Sequence, residues 1–430
     1  MLPVNLEGVG KDAFYTIGDR LLQWKEPIEK ALYREEQRRF SDGTHIYLYD
    51  LTNTYLEGSG KENEAAAYGP SKENRRDCPL LALAPAVDRQ GFPCFSQIYP
   101  GNQGEPETLE SVLDRIEEDL PPLMPKPTMV MDRGIATKEN IDLLKERSYP
   151  YAVIQRRQAA KDFTEEYLHL DTFTQMGTPE EPLYVKKVDQ GEVANVLCYS
   201  FRRSLKEDSM DKRQERRFLE KLEGIAASVA KGTLKRKEKV WHRIGRAWEK
   251  YPSIAKYYSV NTQEEGGDVT CLSWELNTQP RQERSTLTGA YVIETTHKDL
   301  SAQEIWKLYM TLLQVESTFR SLKSDLGLRP IYHRKNHRTQ AHLFIGVLAY
   351  HLLITLEHQL RKKGDHRRWS TIRKILSTHQ RSTIILTDDQ DQIHHLRLSG
   401  TPEAAHQDIY AALGVSPLKK RERTYVATRL

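Results

Sequence analysis

The spacing of apolar and polar positions changes several times along the chain, and each change marks an element. Residues 14–40 place apolar side chains at three- and four-residue steps with charges between them, which predicts a helical lead-in. A turn at Ser41, Asp42 and Gly43 follows. HIYLYDLT then alternates, predicting a strand that carries Ile46, Leu48 and Asp50 on one face and delivers Asp50 at its end. Beyond a polar loop from Glu57 to Asp77, LLALAPAVD and FPCFSQIYP read as two strands joined by the turn formers of Asp88 to Gly91. Glu105 to Asp119 predicts a helix and Pro121 to Pro127 a rigid connection. TMVMD predicts a strand ending in Asp132, Lys138 to Arg147 a helix, and YAVIQ a fifth strand. This succession makes an α/β fold, a mixed sheet flanked by helices.

From about residue 157 to 288 the pattern changes. LYVKKV and VANVLCYSF read as strands, Leu205 to Ala230 as a long charged helix, and a basic segment precedes the strand-like TCLSWELN and AYVIET. The expected organisation is a lead-in (1–40), a core in two parts (41–156 and 289–380), an inserted domain (157–288) and a C-terminal extension (381–430) whose tail, from Ser416, is mobile. After the insertion, YMTLLQVESTFRSLK (Tyr309 to Lys323) reads as the middle of one helix. Leu308, Leu312, Val315, Phe319 and Leu322 form its apolar side, while Tyr309, Glu316, Arg320 and Lys323 share the polar side. Buried helices from Thr339 to about Arg361 and from Trp369 to Ser377 close the core.

Composition alters this picture only locally. The net charge of the 430 residues is +4, so bulk charge announces no nucleic acid. Lys231 to Lys256, however, carries nine Lys or Arg against two Glu, with Trp241, Trp248 and Tyr251 among them. That suits a surface tracking a nucleic-acid backbone, and equally a solvated amphipathic helix whose tryptophans face a core. Four cysteines without a CxxC pair argue against a zinc module or disulfide scaffold. No secretory signal is seen, and the apolar run from Ala341 is short for a membrane span and carries His342, His351 and Glu357. A soluble, cytoplasmic protein is expected. His333 and His337 have the spacing of a zinc pair, but no Glu or Cys completes it. With Arg329, Arg334, Lys335 and Arg338 beside them, phosphate contact is the better reading.

Two aspartates at strand ends and a glutamate on a later helix are hard oxygen ligands suited to Mg²⁺ or Mn²⁺. Two such ions about 4 Å apart serve phosphoryl transfer. Among 60 acidic residues any three could be chosen, but the surrounding strings narrow the choice. YDLTNTYLEG around Asp50, MVMDRGIATKENIDLLKE around Asp132 and YMTLLQVESTFRSLKSDLGLRPIYH around Glu316 together resemble the DDE transposases of bacterial insertion sequences. The resemblance is closest to the group with a Tyr-Arg-Glu-Lys helix motif. Tyr309, Glu316 and Lys323 match its spacing, and Leu312 stands at the Arg position.

The resemblance runs from about residue 40 to 360. It implies a ribonuclease H-like core interrupted by a largely β insertion before the last catalytic helix. It also implies that Asp50, Asp132 and Glu316 are catalytic and bind two ions, Mg²⁺ or Mn²⁺, while Tyr309 and Lys323 hold the DNA strand near the cut. Arg320, one turn below Glu316, could supply the strand contact that Leu312 cannot. Thr52, Asn53 and Thr54 either orient Asp50 or cap a loop. The implied partner is double-stranded DNA, both transposon ends and target, bound by a homodimer near the nucleoid and away from membranes. Such proteins usually carry a further N-terminal region that binds the transposon end, so residues 1–40 are expected to be its remnant. Two other readings remain: a catalytically inactive, transposase-derived DNA-binding protein, and a metal-dependent nuclease on the same fold.

Overall fold

A computed structural model of the chain describes residues 9–41, 43, 45–71, 75–119, 125–389 and 392–426. Asp42 and residues 121–124, parts of the expected turn and rigid connection, lie outside these. The chain forms two compact units, residues 1–149 with 311–430, and Pro150–Met310.

The first unit opens with helices α1 (Lys11–Gln23) and α2 (Lys25–Phe40). Strands β1 (Ile46–Tyr49), β2 (Thr52–Tyr55), β3 (Leu80–Asp88) and β4 (Pro93–Pro100) follow. β3 runs antiparallel to β1, β2 and β4. All nine residues of β3 are buried, as expected of a run without alternation that is covered on both faces. Each fully buried leucine there contributes about 1.5–3 kcal/mol. The sequence read one strand through Thr52; instead the chain leaves β1 at Asp50, and Thr52, Asn53 and Thr54 form a second strand paired with Leu83, Ala82 and Leu81. This run is therefore part of the sheet rather than a capping loop. After α3 (Leu109–Asp119), β5 (Thr128–Met131) lies parallel to β1, with Tyr49 opposite Met131. Helix α4 (Lys138–Glu146) is capped by Thr137, whose hydroxyl accepts from the Asn140 amide at 3.3 Å.

The second unit contains β6 (Tyr151–Ile154), α5 (Thr164–Leu168), β7 (Thr174–Gly177), β8 (Pro182–Gln190) and β9 (Val193–Ser200). Helices α6 (Phe201–Ala230), α7 (Lys237–Lys250) and α8 (Pro252–Ala255), the hairpin β10 (Tyr258–Glu265) and β11 (Asp268–Leu276), α9 (Thr278–Thr286), β12 (Ala290–Thr295) and α10 (Ala302–Met310) complete it. Its strands pair antiparallel in the order β6-β12-β9-β8-β7. A separate core joins α6, α7 and the hairpin through Phe218, Leu222, Ile225, Val240 and Ile244.

The chain then returns to the first unit with α11 (Leu313–Arg320), a π-helical turn (Ser321–Asp325), α12 (Asn336–Lys362) and α13 (Trp369–Leu376). Strands β13 (Arg381–Thr387) and β14 (Ile393–Ser399), α14 (Ala404–Leu413) and β15 (Arg421–Val426) end it. One helix was expected through Tyr309 to Lys323. It breaks at Thr311 and Leu312, where amides Gln314 and Val315 bond three residues back to the carbonyls of Thr311 and Leu312. The expected mobile tail instead adds β15 as a third strand beside β14. Helix α12 is long and apolar enough to cross a membrane, but it packs against α1, α14 and β4 as the core helix of this unit. Its His351 is buried and bonds Glu36 of α2 at 2.7 Å.

Candidate active site

Asp50 and Asp132 are the next residues after Tyr49 and Met131, which pair in the parallel strands β1 and β5. Neighbouring strands lie about 4.8 Å apart, so the two aspartates leave the sheet side by side. Each is braced by its own turn. Asp50 accepts from the Leu51 amide and Asp132 from the Arg133 amide, both at 2.7 Å. The Asp132 carbonyl also accepts from the amides of Ile135 and Ala136 at 3.1 Å. Asp50 is half-buried and Asp132 exposed.

Glu316 is exposed on α11, and α11 packs against β1. Val315, Thr318 and Phe319 supply the buried side, and the Thr318 hydroxyl meets the Tyr350 hydroxyl of α12 at 2.8 Å. Arg320 lies one turn on in the same helix and is exposed. Lys323, half-buried, falls in the π-helical turn, whose wider winding removes it from the spacing an unbroken α-helix would give. Tyr309 belongs to α10 in the second unit, where it packs on a cluster including Leu183, Val185 and Ile305. Arg329 is half-buried. The His333 ring meets Tyr15 edge-on at 5.8 Å and His342 at 5.3 Å, and burial, with the nearby His342 ring and the Arg338 guanidinium, lowers its pKa.

Among the described residues no group of three or more His, Cys, Asp or Glu side chains is close enough to form a ready-made cation site. The donor set still fits Mg²⁺, which is commonly held by one or two carboxylates and completed by water and substrate phosphates. Asp50, Asp132 and Glu316 are the residues that could hold it.

Reading single elements did not find the supports of the two turns. Tyr49, beside Asp50, donates from its buried phenol to Thr108 Oγ1 at 2.8 Å. Asn140 donates to the carbonyls of Pro106 and Ile135 at 2.9 and 2.7 Å. A polar residue at a buried helix position was the available signal for Asn140.

In the second unit the basic segment forms α7, an amphipathic helix with one face in a core and one basic face. Val240, Ile244 and Ala247 of α7 enter the core, with Trp241 partly packed against it and Trp248 38% exposed. The adjacent face offers Arg243, Arg246 and Lys250, which with Lys221 of α6 line a groove of about 390 Å³. Glu220 is its one acidic lining residue. Among the described residues, none of these four cations takes part in an ion pair.

Fold and site together define an α/β protein with acidic strand ends and a separate basic groove. The chain belongs to the transposase DDE domain family, which matches residues 35–352. No curated protein matches it. Among solved structures it is similar to a chain of the piggyBac transposase synaptic complex with hairpin DNA, at 9% identity and a TM-score of 0.37, over 77% of this chain and 51% of that one. The protein thus spans about half the length of that neighbour.

Proposed function

We propose that the protein is a DNA transposase that cuts at transposon ends and joins them to target DNA with the help of divalent metal. The single observation that carries this, beyond family membership, is the pairing of Tyr49 with Met131, because it puts two carboxylates at neighbouring strand ends. In this reading residues 41–156 and 289–380 form a ribonuclease H-like core and 157–288 an insertion. Asp50, Asp132 and Glu316 hold Mg²⁺ or Mn²⁺, two ions. Bound there, the metal would activate the attacking oxygen and offset charge on the leaving one.

Water attacks a backbone phosphorus, the bond from phosphorus to O3′ breaks, and O3′ takes a proton to leave as a free hydroxyl. That hydroxyl then attacks the phosphorus of a target phosphodiester, losing its proton as the new P–O bond forms, while the target's own P–O3′ bond breaks and its O3′ takes a proton and leaves as a hydroxyl. Arg320, Lys323 and Arg329 would hold backbone phosphates, His333 and Tyr309 would add contacts, and the groove of α6 and α7 would grip the duplex. The protein would work as a homodimer on DNA at the nucleoid.

The test is Asp132→Asn in a nicking assay on duplex DNA with Mg²⁺. Even partner groups of metal ligands cost about 10–100-fold when changed, so losing a ligand should cost more, with DNA affinity nearly intact. Retained nicking rejects the assignment. Parent protein that binds DNA and never nicks it would favour the DNA-binding reading.

A further inference from the structure

Glu105 has no role in the chemistry above, yet its contacts lead to both aspartates. It stands at the start of the short turn Pro106–Thr108. Towards Asp50, Tyr49 donates to Thr108 Oγ1 at 2.8 Å, and that hydroxyl donates to the Glu105 carbonyl at 2.7 Å. Towards Asp132, Asn140, only 8% exposed, joins the Pro106 carbonyl to the Ile135 carbonyl. Ile135 in turn donates its amide to the Asp132 carbonyl. The corner at Glu105 is therefore stitched to the end of β1 and to the turn after β5.

Its side chain reaches that second turn. A β-carbon on Gly134 would lie 2.9 Å from Glu105 Oε2, closer than side chains tolerate. Gly134 is not among the glycines with positive φ, so its backbone does not demand glycine. What glycine provides there is room for the carboxylate.

We propose that Glu105 is a positioning residue of the candidate site. Its carboxylate rests on the turn from Asp132 to Gly134 and sets the direction in which Asp132 meets a divalent cation. This rests on reading Asp132 as a metal ligand. The experiment is calorimetric titration of the full chain with Mn²⁺, for the parent, Glu105→Gln, Gly134→Ala and Asp132→Asn, beside thermal unfolding and the Mn²⁺ dependence of nicking.

Glu105→Gln should weaken Mn²⁺ binding about 10-fold or more, the scale for groups that orient ligands, and raise the Mn²⁺ needed for half-maximal nicking by a similar factor. Saturating Mn²⁺ should restore most of the nicking, which a loss of folding would not allow. Gly134→Ala, which displaces only the tip of the carboxylate, should show a smaller loss in the same direction. If Asp132→Asn loses Mn²⁺ while Glu105→Gln binds it like the parent, the proposal is overturned and the site stands. If Asp132→Asn binds Mn²⁺ as well as the parent, the site itself fails. Should Glu105→Gln fail to fold, parent-like affinity in Gly134→Ala overturns the proposal.

Discussion

In the unit of residues 1–149 and 311–430, acids leave the sheet at the ends of β1 and β5; in the unit Pro150–Met310, cations line a groove between α6 and α7. The supports differ as much as the charges. Asp50 and Asp132 are fixed by strand register and by hydrogen bonds to the amides that follow them. Arg243, Arg246 and Lys250 project from an exposed helix face. The second unit does pair other cations. Arg281 lies 3.5 Å from Asp211 and 3.2 Å from Glu215, and Arg203 lies 3.0 Å from Glu207. Among the described residues its groove cations take part in no such pair. Chemistry at a phosphorus needs register to within a fraction of an ångström, whereas a grip on a charged backbone needs only sign and proximity.

The sharpest way to break this contrast is to compare Asp132→Asn with the triple change of Arg243, Arg246 and Lys250 to Ala. The first should remove nicking and spare affinity. The second should spare nicking at saturating DNA and reduce the slope of log affinity against log salt by roughly 3, about 0.9 for each lost phosphate contact. An unchanged salt slope would show that the groove does not face DNA.

The acids of the first unit also shape its pH response. Asp88 is buried, and burial, aided by the charge of Glu36, pushes its pKa up to about 6 against hydrogen bonds from Phe92, Gln90 and Gln37. An unfolded aspartate titrates near ~3.9, so the folded chain holds this proton more tightly. The stabilisation is full below about pH 4 and is lost as pH rises through about 6, a change on the order of 3 kcal/mol. Asp88→Asn, which keeps an acceptor for the Phe92 and Gln90 amides, should flatten the fall in unfolding temperature between these values. An unaltered pH profile would remove Asp88 as its source.

A smaller effect is expected from Arg320→Ala. Arg320 is exposed, so its loss should leave the unfolding temperature unchanged and lower nicking roughly 10-fold through a lost charge-assisted phosphate contact. Nicking equal to the parent would assign the strand contact elsewhere. The smallest is Tyr350→Phe. Removing the hydroxyl that meets Thr318 should cost about 1 kcal/mol in denaturant unfolding and only slightly loosen α11, which carries Glu316. A large loss of nicking without loss of stability would make Tyr350 part of the site rather than a prop of its helix.

Much of this was present in the sequence alone. The uninterrupted apolar run of β3, the strand that leads to Asp132, and the three- and four-residue spacing of residues 14–40, which form α1 and α2, are local signals, because burial acts on each element through its own period. The strings around Asp50, Asp132 and Glu316 likewise carried the family resemblance. Tertiary structure alone decided that Ile46–Tyr49 pairs with Thr128–Met131, that the chain breaks at Thr311 and Leu312, and that Arg421–Val426 joins β14. It also decided that the carboxylate of Glu105 lies against Gly134. These depend on which distant segments satisfy one another's backbone and exclude water together, and periodicity within one segment carries no record of its partner.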